Sequence, residues 1–474
     1  MQSVDTTAGV TLARMTLKLD TALDYSLGGS LSKSILAISV IIGMAFYLRR
    51  RRAMKSHSVG NTIGDLCTTV TLILALTLGT LRWLEFTIVG SVVASDFTQD
   101  YIAAHALRQG VSLYSSPLKN FAAEQLHFDI MKIQPEVFNF HPPFNALLFL
   151  PFSFVPHPWA FISWNIIATL AYAVLIYGLL EAYGIATFRT LQLGTLLLIW
   201  EPFVGNIALG QVSTVLALLI IGGFLLLERR ERPVAAGLMF GLATLIKLFP
   251  GLIFLYLLFR RHWRCAGIMA VTVSSGLALT LVVIGSADIF YYLRDLLPEH
   301  VRAFAPYPFN ISIESVVRTL LGKSRFSVPI VAAPAAVQGL TLLLNSFLLL
   351  GLCLLARRYP GPENAENLFV LFCLTMLLIS PITWPHTCLV ILFPMAMLWH
   401  DGLRLGQRNA WRVLLVILIL FAIPDRALLK EAIASYPLTP VPWYSMLGVK
   451  LGFFGLLILW ATFYRRLVAV RPHD

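Results

Sequence analysis

The chain has 474 residues, 58% of them hydrophobic and 13% charged, with a mean hydropathy of +0.78. These values exclude a water-soluble globular chain and leave an integral membrane protein. At ~20 residues per span, about a dozen spans use most of the chain, so no room remains for a separate soluble catalytic domain. The net charge of +12, from 36 Lys+Arg against 24 Asp+Glu, lies in tight clusters beside apolar runs. That is the positive-inside pattern, and it excludes a nucleic-acid reading.

In chain order, residues 1–30 read as a polar N-terminal tail without the small-residue cleavage site of a signal peptide. Apolar runs near 31–48 and 66–89 flank the basic cluster Arg49 to Lys55, which places the N-terminus and the loop from about Ala94 outside. That loop, 94–141, is the longest polar stretch. Pro143 to Pro156 is bounded by prolines and is too short for a comfortable span, so it reads as a juxtamembrane or re-entrant outer helix.

Further spans are expected near 159–181, 190–200, 206–228, 234–246, 250–259, 265–285, 330–356, 367–380, 387–399, 413–423 and 443–464. Basic anchors at Arg229 to Arg232, Arg260 to Arg264, Arg357 with Arg358, Arg404 to Arg412 and Arg465 to Arg471 set the alternation and put the C-terminus in the cytoplasm. The expected class is all-α: a polytopic bundle of about 12–13 spans with short outer-face loop helices. One transmembrane domain covers 31–464, with the outer loop and juxtamembrane helix at 94–158 and a cytoplasmic tail at 465–474. Several spans are short and broken by Pro or Gly, which the bilayer tolerates only around a polar interior chamber. Cys67, Cys265, Cys353, Cys373 and Cys388 lie in apolar stretches with no CxxC pair, so neither a zinc site nor a disulfide framework is expected.

Polar groups where burial is costly are the informative ones. Asp96 and Asp100 flank Phe97-Thr98-Gln99 just after the second span and share a face if the stretch is helical. A carboxylate at that boundary suits a general base; it equally suits a helix N-cap. His141-Pro142-Pro143 sets a rigid opening to the short outer helix. Ser380 to His386 forms a tight outer turn in which Trp384 can stack on a sugar and His386 can bond a hydroxyl or phosphate, although both also fit an aromatic belt. Lys247, Arg294, His300, Arg302 and Arg318 suggest a cationic wall. Lys247 falls on the outer side against the charge trend and needs a lipid phosphate or a carboxylate such as Glu201. Gly205-Asn206 and Gly210-Gln211 place amides at the start of a span, and Asn310 to Ser315 opens a short outer helix.

In this order the segments resemble glycosyltransferase family 87 (DUF2029), membrane enzymes of the GT-C fold that include polyprenyl-phosphate-mannose-dependent mannosyltransferases. The matching pieces are Asp96-Phe97 with Tyr101; Gly110 to Tyr114; His141-Pro142-Pro143-Phe144; Gly210-Gln211; Gly237 to Gly241 running into Lys247-Leu248-Phe249-Pro250; Asn310 with Ser312; and Ser380-Pro381 with Trp384 and His386. His141, Ser213 and Thr387 depart from residues frequent in that family.

The resemblance implies inverting transfer of a hexosyl, mannosyl by preference, from a polyprenyl-phosphate sugar to a lipid or glycan acceptor. The transfer would take place on the outer face of the cell's inner (plasma) membrane, with no cofactor and no metal. Asp96 would be the base and His386 its catalytic partner. Asp100, Tyr101, His141, Gln211, Lys247, Arg294, Arg302, Asn310 and Trp384 would bind donor or acceptor. A transporter or flippase of lipid-linked sugars is the alternative; it needs no carboxylate at Asp96.

Overall fold

The computed structural model describes residues 74–88, 96–114, 139–184, 197–436 and 440–469. The expected polar tail, the first apolar run, the Arg49 to Lys55 cluster and much of the 94–141 loop lie outside these residues.

The fold is helical, as expected. From the N-terminal side, α1 (Asp96–Arg108) is followed by α2 (Phe144–Phe149), α3 (His157–Ala182), α4 (Glu201–Leu209), α5 (Ser213–Glu228) and α6 (Pro233–Ile246). Then come α7 (Ile253–Phe259), α8 (Trp263–Ile284), α9 (Ser286–Tyr291), α10 (Leu297–Phe304), α11 (Ile313–Leu321) and α12 (Pro334–Arg358). The chain continues through α13 (Ala365–Ile379), α14 (Leu392–Arg404), α15 (Arg408–Ala422), α16 (Asp425–Ser435), α17 (Trp443–Val449) and α18 (Leu451–Ala469). The strands β1 (Ser327–Val328) and β2 (Val441–Pro442) pair in parallel and clip two loops together.

Among the described residues, five helical segments are long and apolar enough to cross a bilayer: α3, α8, α12, α18, and Pro362–Ile379, which contains α13. The shorter apolar helices α5 and α6, at 1.5 Å per residue, reach only about 24 Å and 21 Å, so they need partners at their ends. The expected span 206–228 is divided at Gly210 into α4 and α5, and the expected span 443–464 is divided at Lys450 into α17 and α18. Pro143 to Pro156 holds α2 and a 3-10 turn at Leu150–Phe154, too short to span, as its bounding prolines require.

Outward faces of α8 and α12 are apolar, with Val282 82% and Phe347 74% exposed. Such surface is stable only against lipid. Inside, aromatic rings fill the space between helices: Phe224 of α5 stacks on Phe369 of α13 at 4.2 Å, and Tyr256 of α7 meets Phe369 edge-on at 5.2 Å. The described cysteines are all free.

Gly237 and Gly241, four residues apart on α6, let α8 approach closely. A Cβ at these positions would stand 2.7 Å from the Cys265 carbonyl oxygen and 2.5 Å from Thr272 Cβ. This is the small-xxx-small device of membrane helices, where close backbone contact replaces the hydrophobic drive that lipid removes.

The basic clusters gather at one end of the array. Glu228 accepts from Tyr256 Oη at 2.8 Å and lies 3.0 Å from His262 Nε2. Arg229 pairs with Glu366, Arg230 with Glu181 at 2.8 Å, and Arg466 with Asp401. Because α5 runs from Ser213 to Glu228 and α6 runs back to Ile246, Gln211 and Lys247 are carried to the other end.

Candidate active site

The stretch around Asp96 is helical, so Asp96 occupies the first turn of α1. The exposed N–H groups there favour an anion. Asp96 Oδ2 accepts from Gln211 Nε2 at 2.5 Å, and Oδ1 accepts from Gln99 Nε2 at 3.3 Å. Gln99 Oε1 in turn accepts from the Phe140 N–H at 3.3 Å. Two amides therefore orient the carboxylate, yet the residue stays half-buried.

Gly210 explains how Gln211 reaches it. This residue ends α4 in the left-handed conformation, φ 61°, ψ 37°, a conformation that costs other residues about 1–2 kcal/mol. A Cβ there would also stand 2.6 Å from Phe97 Cβ and 2.8 Å from the Phe161 ring. Glycine thus lets α4 close on the residue beside Asp96. Asn206 then caps the next helix, its Oδ1 accepting from the N–H groups of Ser213 at 3.0 Å and Thr214 at 3.3 Å.

Asp100, one turn further along α1, is buried and takes a different role. Both of its oxygens lie 2.9 Å from His141 Nδ1. The simplest tautomer has Nδ1–H donating to the carboxylate and Nε2 free. Tyr114 Oη donates to the His141 carbonyl at 2.9 Å, and Asn139 Oδ1 accepts from its N–H at 3.0 Å. Tyr101 is also buried and donates to the Val155 carbonyl at 2.9 Å, bracing α1 against the proline-bounded segment.

Lys247 follows the last residue of α6. Pro250 lacks the N–H that would bond back to Ile246, so the helix ends there, and the backbone of Lys247 is extended (φ −143°, ψ 140°). Among the described residues the ammonium makes no hydrogen bond or ion pair. Burial draws its pKa below the usual lysine value, opposed by the charges of Asp96 and Asp100. The expectation of Glu201 as a carboxylate partner for Lys247 is corrected: Glu201 lies 3.8 Å from Arg82.

Two histidines near Lys247, His300 and His386, are disfavoured as cations. Burial first, then His141 and Lys247, push His300 down to about 3. Burial, followed by Lys247, Arg426 and His141, takes His386 well below the ordinary histidine value. His300 thus belongs to the site as an uncharged imidazole and not as part of a cationic wall. Its Nδ1 and the Nε2 of His386 are buried without a partner.

His386 sits in the 3-10 turn Pro385–Ile391. Thr387, a departure from the family pattern, closes this turn: its Oγ1 accepts from the Trp384 N–H at 2.9 Å and donates to the Trp384 carbonyl. Trp384 is half-buried, edge-on to Tyr307 at 5.7 Å and Phe304 at 6.1 Å.

Arg294 and Arg302 are exposed, and the Arg302 Nε bonds only the Pro298 carbonyl, at 3.3 Å, within its own helix. Neither is among the groups whose charges act on Lys247. Arg318 is paired with Glu314 at 2.6 Å.

Asn310 is fully buried and entirely occupied by backbone. Its Nδ2 donates to the carbonyls of Pro381 at 2.8 Å and of Phe304 and Ala305 at 3.3 Å, while Oδ1 accepts from the N–H groups of Thr383 at 3.0 Å and Ser312 at 3.1 Å. It holds the Trp384–His386 turn in place.

One residue that sequence reading passed over supports this hub. Lys450, fully buried, donates to the carbonyls of Tyr307 (3.0 Å), Pro308 (2.9 Å) and Asn310 (2.8 Å) and to Ser315 Oγ (2.8 Å). The available signal was a lone lysine inside the apolar run 443–464, a position that costs several kcal/mol unless fully coordinated. Lys450→Met is expected to destabilise the fold by about 1–3 kcal/mol by orphaning these acceptors, and to lower kcat more than it changes donor KM. Thermal unfolding in detergent and initial-rate kinetics check both.

Asp96, Asp100, His141, Gln211, Lys247, His300 and His386 therefore converge at one end of the helical array. The group brings together carboxylates, an ammonium and imidazoles; no cluster of three metal-ligating side chains occurs among the described residues.

The model of glycosyltransferase family 87 matches residues 139–381. A polyprenol-phosphate-mannose-dependent alpha-(1-2)-phosphatidylinositol pentamannoside mannosyltransferase of Mycobacterium tuberculosis (strain CDC 1551 / Oshkosh) is 26% identical over 347 residues, covering 70% of this chain and 75% of that protein. Its namesake from Mycolicibacterium smegmatis is 28% identical over 272 residues, 56% of this chain and 61% of that protein. A phosphatidylinositol mannoside mannosyltransferase of M. tuberculosis (strain ATCC 25618 / H37Rv), also polyprenol-phosphate-mannose-dependent, is 33% identical over a shorter stretch of 142 residues, 27% of this chain and 32% of that protein. With more than half of its length matched by the family model, the chain belongs to glycosyltransferase family 87.

Proposed function

We propose that this glycosyltransferase moves a mannosyl group from polyprenyl-phosphate mannose to a lipid-linked or glycan acceptor at the outer face of the plasma membrane, with inversion. The observation that carries the reading is one oriented carboxylate, Asp96, within electrostatic reach of one ammonium, Lys247, that makes no ion pair among the described residues. Asp96 takes the proton from the acceptor hydroxyl as its oxygen attacks the anomeric carbon. The bond from that carbon to the phosphate oxygen breaks, and polyprenyl phosphate leaves with the electron pair.

The phosphate is already a good leaving group, so stabilising its charge is the main electrostatic task. Lys247 supplies positive charge there without proton transfer. His300 and His386, being neutral, offer hydrogen bonds to hydroxyl or phosphate oxygens and do not compete with Lys247 for the anion. Asp100 is taken up by His141, so a single carboxylate remains for direct displacement, and one displacement inverts the anomeric centre.

The acceptor class is read from the mycobacterial relatives, whose names specify phosphatidylinositol mannosides. Arginine clusters at the end opposite Asp96 support a cytoplasmic placement for that end and an outer placement for the site. Purified protein incubated with polyprenyl phosphates bearing mannose, glucose, galactose or arabinose is expected to consume the mannosyl donor and yield an acceptor heavier by one hexose on mass analysis. Exclusive use of another sugar, or movement of intact donor across a vesicle without transfer, would overturn the reading.

A further inference from the structure

A second set of polar side chains on the Asp96 face is left over by the transfer chemistry. Glu201 lies in the first turn of α4 and Asp425 in the first turn of α16. Trp200, just before Glu201, packs on Phe421, four residues before Asp425, with ring centroids 6.2 Å apart, and so brings the two helix starts together. Arg426 acts electrostatically on Glu201, Asp425 and His386. His386 thus lies between Lys247 on one side and this second group on the other.

Two polar atoms in this group, Asp425 Oδ2 and Trp200 Nε1, are buried with no partner among the described residues, as is His386 Nε2 on its border with the transfer site. Trp200 is 0% and His386 8% exposed. A purely structural ion network would pair its members, but Asp425 makes no ion pair among the described residues. Each orphaned group carries its desolvation penalty uncompensated unless something fills it.

The chemistry of the missing partner follows from the donors and acceptors present. Burial first, then Glu201, raise the Asp425 carboxyl well above the usual range, opposed by Lys450 and Arg426. Burial raises the Glu201 carboxyl as well, opposed by Arg82 at 3.8 Å and by Arg426, and two carboxyls that favour the acid form offer both donation and acceptance. Two carboxyl groups disfavour a phosphate, while an indole N–H, an imidazole, a carboxylic acid and a guanidinium match a row of hydroxyls.

Position completes the argument. The nine residues of α4 separate Glu201 from the Gly210–Gln211 end by about 13 Å, more than one sugar ring from Asp96.

We propose that Glu201, Asp425 and Arg426, bordered by Trp200 and His386, form a remote subsite that binds sugar units of the acceptor glycan beyond the one that receives the new residue. The inference rests on the glycosyl-acceptor reading above. It makes the enzyme selective for oligosaccharide acceptors, because contacts far from the reacting atoms are used to raise kcat/KM.

The test compares an octyl mannoside with an octyl mannotrioside as acceptors. The ratio of their kcat/KM values is expected to fall at least fivefold in Asp425→Asn and Glu201→Gln; a smaller change in both overturns the inference. If either variant fails to fold, Arg426→Gln carries the same expectation. Saturation-transfer NMR of free mannotriose on the wild-type protein in nanodiscs separates the two levels. Binding that Asp425→Asn abolishes supports the subsite even if no mannosyl transfer is found, in which case the donor reading alone falls. Absence of mannotriose binding to the wild type overturns the subsite while leaving transfer to the octyl mannoside intact as support for the proposed reaction.

Discussion

Asp96→Asn is expected to reduce mannosyl transfer by about 10²–10⁴-fold, the usual contribution of a positioned general base, with little change in thermal unfolding. The amide keeps the size of the side chain and can still bond Gln211, whose amide can rotate to present its oxygen, so the end of α1 should hold its place. What it cannot do is accept the proton of the acceptor hydroxyl. Because the carboxylate reaches its place through Gln211 and Gln99, the loss should appear in kcat, with the donor KM nearly unchanged. Single-turnover assays with excess enzyme isolate that step. Near-wild-type turnover in the variant would remove Asp96 from the role of base and return it to the end of a helix as a capping residue.

The second large effect is expected at Lys247. Removing the ammonium in Lys247→Ala deletes the positive charge proposed to balance the departing phosphate, and one such group is typically worth about 10²–10³-fold in kcat. Unlike the Asp96 variant, this one should also weaken donor binding, because the phosphate is charged in the ground state as well. Lys247→Arg should recover part of the loss, since the charge returns with different reach. Measuring kcat and donor KM for the two variants separates the roles. A stable Lys247→Ala protein with unchanged donor KM and kcat would make the lysine a structural cation.

The arrangement explains why the two motifs around Gly210 and Gly237 matter although neither touches a reacting atom. Gly210 admits α4 against Phe97, and so lets Gln211 reach Asp96. Gly237 and Gly241 seat α6 on α8, and α6 then ends at Lys247. Asp96 and Lys247, the proposed base and cation, are thus each placed by a helix whose depth is set by glycine contact. Rigid placement of this kind is what direct displacement needs, since a misplacement of about 1 Å costs on the order of 10²-fold.

Much of this was readable in the chain. Composition alone required a membrane protein, because so apolar a sequence cannot cover its own surface with polar groups in water. The arginine clusters gave the alternation of loops, since lysine and arginine beside a span resist translocation. Asp96, His141, Gln211, Lys247 and His386 stood out because polar groups are rare at bilayer depth. Tertiary structure decided what each of them does. Asp96 and Asp100 look alike in sequence, but Gln211 and Gln99 orient the first while His141 occupies the second, and those partners lie 41 to 115 positions away or within one helical turn. Asn310 could be a ligand or a brace by residue type, and only the carbonyls and N–H groups that surround it make it a brace. Arg294 and Arg302 carry the right charge, yet the turn of their helices leaves them exposed. Lys450 was hidden in an apolar run, and its four acceptors, on the loop before α11 and in the first turn of that helix, lie more than 130 positions away. Hydropathy depends on local composition and so is legible residue by residue; the partner of a buried charge depends on which distant helices meet, and that is settled only when they pack.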